Sequence, residues 1–362
     1  MELSNSKLAA MLLCSGLLTA CGSPGVPQAP SLLVARPVND LKAARKGNKV
    51  FLTWTAPTRT TDGHNLSHVH RGETQICGNP VSAMTQCGTP VAKVPIPDHV
   101  TNQPQAMRFI NELPESIQSM YANADLYYAV RVMNSYGRSA GLSNQVSVPA
   151  APAIPPPEDF RAQLIPEGVR LSWKSGSLPG NTSGLRFAVR IYRREEGKSA
   201  DLIAGETEFS AGSLQTFTDR NLEWEKTYSY RGLIVTYIDH RGGTQEQVEG
   251  DDTPSVSIFA HDVFPPEAPL GLQAVFSGPG QKPFIDLIWT PNTEADLAGY
   301  NVYRRERETQ PVKVNSELVK APAWRDSTVE PGHEYTYSVT AVDVRGNESA
   351  RSGAATESVP VQ

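Results

Sequence analysis

Three times along its 362 residues the chain sets apolar residues at alternate positions and closes them with tryptophan: Val50-x-Leu52-x-Trp54, Val169-x-Leu171-x-Trp173 and Ile285-x-Leu287-x-Trp289. Period-two alternation puts successive side chains on opposite faces of an extended backbone, so each stretch describes a strand with one face buried and one wet. The tryptophans stand 119 and 116 residues apart (54 to 173 to 289), and a repeat of this kind constrains the fold more than any single motif. Apolar residues precede each copy at Leu41, Phe160 and Leu272. A second pattern follows, Val189-x-Ile191-Tyr192-Arg193 and Tyr300-x-Val302-Tyr303-Arg304, with Val69-His70-Arg71 as a weaker counterpart in the first copy. Tyr192 and Tyr303 are expected to face the core, with His70 in the same position. Late in each copy comes a tyrosine-led alternation: Tyr128-x-Val130-x-Val132, Tyr228-x-Tyr230 and Tyr335-x-Tyr337-x-Val339-x-Ala341. In the second copy the parity from Tyr230 to Val235 and Tyr237 is broken, which predicts a bulge near Gly232.

Short strands at roughly ten-residue spacing, with Gly, Pro and Asn turns and almost no helical period, argue for two-sheet antiparallel sandwiches. Proline clusters at 22–30, 150–157 and 264–269 read as semi-rigid linkers. They divide the chain into a leader (1–20), a tether (21–35) and three blocks at 36–149, 155–262 and 265–362. The first block is the longest. Its surplus lies between Thr58 and Tyr121 and ends in a stretch, Gln105 to Tyr121, expected to form one or two helical turns around Pro114. An odd strand number would leave each block's ends at opposite poles, so the three are expected to form a rod on the order of 100 Å long at ~3.3 Å per strand residue.

The blocks resemble the fibronectin type III domain. That pattern has a tryptophan on the second strand, an aromatic on the third, and L-x-P-G-x-x-Y leading into the sixth. Val329-x-Pro331-Gly332-x-x-Tyr335 matches the last element, Leu222 with Tyr228 keeps its spacing without the Pro-Gly, and the first block has no clean tyrosine corner. The resemblance implies an all-β chain of three tandem immunoglobulin-like (fibronectin type III) antiparallel sandwiches. Their core markers are Trp54, Trp173, Trp289, Tyr128, Tyr228 and Tyr335.

The amino terminus carries a separate signal. Thirteen mostly apolar residues, Leu8 to Ala20, follow Lys7 and end in Leu18-Thr19-Ala20-Cys21. A spanning helix needs about 20 residues, so this run is a targeting segment. The tetrapeptide resembles the lipobox of bacterial lipoproteins, which implies cleavage before Cys21 and a diacylglyceryl thioether on its sulfur. An ordinary secretory signal cut after Ala20 is the alternative. A processed lipoprotein carries at least two acyl chains, enough for stable anchoring where one is marginal. Gly22 lacks the aspartate that favours inner-membrane retention in enterobacterial members, so the resemblance points to the outer membrane, facing the periplasm or the surface. Of four cysteines, Cys14 leaves with the leader and Cys21 takes the lipid. Cys77 and Cys87 remain as an even pair in a compartment where disulfides persist, and a bridge is expected over two free thiols.

The net charge of −5 argues against nucleic-acid binding, which wants a basic face. No G-x-S-x-G, H-E-x-x-H or phosphate-binding glycine loop is present, and no RGD. His64, His68 and His70 are a conceivable metal set, weighed against a core position for His70 and a turn position for His64. Glu249, Asp251 and Asp252, and Glu294 with Asp296, are oxygen-rich runs without EF-hand spacing, and solvated loop charge is the expected reading. Arg193-Arg194 and Arg304-Arg305 are expected to decorate strand ends, with a polyanion contact as the alternative. The sequons at Asn65, Asn181 and Asn347 fit an N-glycan rule that usually has no enzyme to act on it in bacteria. The expectation is a non-enzymatic, cofactor-free, lipid-anchored envelope protein serving protein–protein interaction, adhesion or spacing. Its expected partners are the membrane, through the lipid, and an unidentified envelope protein or glycan. Carbohydrate or peptidoglycan binding, through exposed aromatics such as Trp224 or Trp324, is the alternative.

Overall fold

The computed structural model describes residues 32–66, 71–96, 105–178, 182–240 and 243–361; the leader, Cys21 and most of the tether lie outside them. The chain forms two compact units, Met1–Pro152 and Ala153–Gln362. In the first unit the order is β1 (Lys42–Lys46), β2 (Lys49–Thr55), β3 (Arg71–Pro80), β4 (Ala92–Pro95), β5 (Ala106–Glu112), α1 (Glu115–Met120), β6 (Asp125–Asn134) and β7 (Val146–Pro149). A three-stranded sheet, β1-β2-β5, faces a four-stranded one, β4-β3-β6-β7.

The second unit holds two such sandwiches. One comprises β8 (Glu158–Ile165), β9 (Gly168–Lys174), β10 (Leu185–Glu195), β11 (Leu202–Glu208), β12 (Leu214–Asp219), β13 (Thr227–Asp239), β14 (Gln245–Glu249) and β15 (Val256–Phe259). Its sheets are β12-β9-β8 and β11-β10-β13-β14, with β15 also on β13. The other comprises β16 (Leu270–Phe276), β17 (Ile285–Thr290), β18 (Leu297–Glu306), β19 (Val312–Lys313), β20 (Ala323–Asp326), β21 (Glu334–Asp343) and β22 (Ala355–Ser358). Its sheets are β16-β17-β20 and β19-β18-β21-β22. Every named pairing is antiparallel. First, second and fifth strands against third, fourth, sixth and seventh is the fibronectin type III-like arrangement.

Each sandwich has its own core, and each core contains its repeat tryptophan with the alternating apolar residues before it. Trp289 meets Tyr300 edge-on, with ring centroids 5.1 Å apart. The indole N–H of all three tryptophans is buried without an acceptor among the described residues. Their role is therefore volume and dispersion, not hydrogen bonding.

The register corrects several sequence expectations. Tyr192 and Tyr303 lie on the sheet face away from the core, because Val189 with Ile191, and Tyr300 with Val302, occupy the inward positions. Their hydroxyls donate to Glu249 and Glu348 instead, at 2.5 and 2.7 Å. No bulge occurs at Gly232, where β10 and β13 keep one register from Leu185 opposite Ile238 to Glu195 opposite Tyr228. Glycine stands there because the Phe160 ring fills the space of a side chain, 2.9 Å from where a Cβ would sit. The odd-numbered residues Leu233, Val235 and Tyr237 face outward and form a small apolar cluster with Ala188. In the first block the third strand is Arg71–Pro80, with Ile76 in the core, and residues 67–70 lie outside the described ones. The supposed surplus contains a structural strand: β5 pairs with β2, setting Asn111 opposite Val50, and its Met107 and Phe109 pack on the core. Only the helical turns after Pro114 match the expectation for that stretch, as α1.

Candidate functional site

Cys77 and Cys87 form a disulfide with Cα atoms 5.4 Å apart. Cys77 lies on the outer face of β3, packed with Met84, Ala129, Tyr127 and Leu142 in a cluster separate from the main core. The Gln145 side chain clamps the loop between the cysteines, accepting the Met84 N–H and donating to the Met84 carbonyl, both at 2.7 Å. The bridge thus staples a loop over one sheet. In the Cys77→Ala/Cys87→Ala double variant the first unit is expected to lose about 3 kcal/mol by the loop-closure argument. Urea denaturation checks this, and the unfolding of the second unit should stay unchanged.

In each Arg-Arg pair the first arginine turns inward instead of decorating the strand end, while Arg194 keeps an exposed pair with Asp201. Arg193 Nη1 donates to Asp219 Oδ2 at 2.7 Å, and the Tyr230 hydroxyl donates to the same oxygen at 3.0 Å. Arg304 Nη1 and the Tyr337 hydroxyl do the same to Asp326 Oδ2, at 2.7 and 2.9 Å. The carboxylate side chains are 2% and 0% exposed, so each triad is an internal ion pair between facing sheets. Burial alone would raise the Asp326 carboxyl, but donors from Thr328, Arg304 and Tyr337 outweigh it and hold the group below the usual range. Burial first, then the adjacent carboxylate, pushes the Tyr230 and Tyr337 hydroxyls well above the ordinary phenol value. The corner tyrosines sit beside these triads: the Tyr228 hydroxyl accepts the Glu223 N–H and that of Tyr335 accepts the Glu330 N–H, each at 3.0 Å. Gly332, at φ +83, makes the turn that sets the latter contact.

In the first unit the same positions carry different chemistry. By strand register, Gly78 stands where the arginine does, Tyr128 where the triad tyrosine does, and Asn111 where the aspartate does. Asn111 Nδ2 donates to the Tyr128 hydroxyl at 2.8 Å, so Tyr128 forms no corner.

The other residues singled out from sequence are mostly committed within the fold. Glu249 takes Arg190 Nη1 at 2.9 Å, Glu206 takes Arg190 Nε at 3.0 Å, and Tyr237 and Gln247 accept from its Nη2. With Arg231 over the Tyr192 ring and Arg186 over Tyr237, these side chains roof the outer apolar cluster of the second sandwich. Asp252 pairs with Arg231, and Arg194 with Asp201 at 2.7 Å, while Asp251 is exposed. Of the histidine set, His64 faces Asp62 at 3.3 Å, and His68 and His70 lie outside the described residues. His240, His261 and His333 likewise each lie against a carboxylate, those of Glu246, Glu225 and Glu306. Trp224 and Trp324 are not exposed platforms, because both pack against their cores. Among the described residues, Tyr136 and Phe259 are the exposed aromatic side chains instead. An open cleft of about 520 Å³ runs between Pro166, Pro265, Pro266, Pro291 and Glu294. Among the described residues no helix is long and apolar enough to cross a membrane.

No family model matches the chain. Exoglucanase B of Cellulomonas fimi is 25% identical over 239 residues, which is 63% of this chain and 19% of that protein. An amylopullulanase of Thermoanaerobacterium saccharolyticum is 33% identical over 97 residues, 27% of this chain and 7% of the enzyme. The chain therefore spans less than a fifth of the length of these curated relatives. Among solved structures, the FN1-FN3 domains of chicken CNTN1 align over 90% of this chain and 99% of theirs, at 14% identity and a TM-score of 0.26. A Fn3-like protein from Clostridium thermocellum aligns over 27% of this chain and 98% of its own, at 26% identity and a TM-score of 0.23. The fold assignment rests on strand order and register.

Proposed function

We propose that this chain is a non-catalytic envelope lipoprotein, held by a lipid on Cys21, whose fibronectin type III-like sandwiches act as an interaction and spacing device. The observation that carries the reading is the use made of its conspicuous polar groups. Two arginine–aspartate–tyrosine triads and the Arg190 cluster are spent on cohesion between and across sheets. The described histidines lie against carboxylates. The amino-terminal Leu18-Thr19-Ala20-Cys21 supplies the address, in the outer membrane facing the periplasm or the surface. Metabolic labelling with an alkynyl palmitate tests the anchor. The wild-type chain should take up label and sediment with membranes, whereas Cys21→Ser should do neither. Label on both, or on neither, would refute it. In-cell crosslinking of the anchored chain should then capture envelope proteins, and a screen for polysaccharide hydrolysis should show none.

The second reading is a carbohydrate-associated module, favoured by the local likeness to segments of an exoglucanase and an amylopullulanase. Tyr136 and Phe259 would be its stacking surfaces. Retention on insoluble polysaccharide that falls at least tenfold in Tyr136→Ala or Phe259→Ala would establish it over the first.

A further inference from the structure

Resting on the reading of the chain as an interaction device, we propose that the cleft between the second and third sandwiches is a docking groove for an extended peptide segment that carries arginine among apolar residues. One wall is the Pro166-Glu167 turn between β8 and β9; the other is built by the linker before β16 and the loop after β17. Leu270, 68% exposed, and the exposed rings of Pro166, Pro265 and Pro291 give the cleft its apolar surface. At about 520 Å³ it has room for several side chains of an extended segment.

Charge and hydrogen-bonding capacity select the occupant. Glu167, Glu267 and Glu294 line the cleft, and no lysine, arginine or histidine does. The exposed carboxylates of Glu167 and Glu267 make no hydrogen bond or ion pair among the described residues. Burial alone would raise the Glu294 carboxyl, but the N–H groups of Glu267 and Glu294, with the Asn292 side chain, hold it below the usual range. Donors in the lining are scarce. Its four prolines have no N–H, the Glu267 N–H goes to Glu294 Oε1 at 2.7 Å, and the Asn292 N–H goes to the Tyr300 hydroxyl at 2.9 Å. Asn292 Nδ2 donates to the Glu267 carbonyl at 2.8 Å, while its Oδ1 is buried and takes no donor among the described residues. These bonds also fix the linker against the loop, so the groove stands before any partner arrives. A surface that accepts and scarcely donates suits a guanidinium, which carries five donors, pairs with a carboxylate through two of them, and lays its aliphatic stem on apolar surface.

The test is fluorescence anisotropy of a dansyl-labelled peptide, L-R-P-R-L, titrated with the purified full chain, and of L-E-P-E-L as its acidic counterpart. The arginine peptide should bind saturably and the acidic one should not. The Glu167→Gln/Glu267→Gln double variant should bind about tenfold more weakly, the sum expected of two exposed ion pairs. Leu270→Ser should weaken binding about threefold through lost apolar contact, which charge attraction alone would not produce. All three side chains are exposed, so both variants should melt with the wild type. Asp251→Asn, an exposed acidic control away from the cleft, should bind as the wild type does. Absence of saturable binding, equal binding of L-E-P-E-L, or undiminished binding by either variant would overturn the proposal. With palmitate labelling and crosslinking intact, that result would strike the groove and leave the envelope reading standing.

Discussion

Asp326→Ala is expected to destabilise the third sandwich by about 3–5 kcal/mol, because it leaves the Arg304 guanidinium and the Tyr337 hydroxyl inside the protein without their shared acceptor. The side chain is completely buried and takes both donors on one oxygen. Urea denaturation at neutral pH measures the loss. Asn111→Ala, at the matching position of the first unit, should cost only about 1 kcal/mol, since a neutral hydrogen bond to Tyr128 is all it breaks. The effect carries a pH signature. The folded carboxyl of Asp326 lies below its unfolded value of about 3.9, so its stabilisation is complete above that value and is lost as pH falls through the lower, folded one. The stability of the wild-type chain should therefore drop more steeply below about pH 4 than that of the alanine variant. Parallel acid profiles would show that the ion pair adds nothing.

Trp173→Ala should cost about 3–5 kcal/mol, the range for removing a large aromatic from a closed core. Trp173 is wholly inaccessible and packs beside Phe160, with centroids 6.2 Å apart. Trp173→Phe should recover more than half of the loss. It keeps most of the ring volume, and the indole N–H it deletes has no acceptor among the described residues. If phenylalanine proved as damaging as alanine, the N–H would have to be satisfied in solution, for example by an internal water. Chemical denaturation of the two variants against the wild-type chain decides the matter.

What could be read in advance follows from the range of the interactions. Strand parity is local, so the tryptophan strands were legible from Val169, Leu171 and Trp173 alone. The corner at Tyr335 was legible because Pro331-Gly332 advertises its turn. The triads were not. Arg193, Asp219 and Tyr230 come from three strands, and nothing near Arg193 distinguishes an inward guanidinium from an outward one until the register against Tyr230 is known. Tyr192 is ambiguous for the same reason: it and Ile191 must face opposite sides of the strand, and local sequence does not say which one faces the core. β5 was missed because Arg108 and Glu112, interleaved with Met107 and Phe109, resemble loop composition unless their alternation is noticed.

The roofed outer face of the second sandwich has a bearing on how that module can change over generations. In an ordinary half-wet sheet every other position is free to drift. Along β13, Leu233, Ile234 and Val235 are all shut off from solvent, on alternate faces. Saturation mutagenesis of this strand should therefore reveal an unbroken intolerant run where the edge strand β22, exposed at alternate positions, shows a dotted one, and lineages of the second module should diverge mainly through their loops.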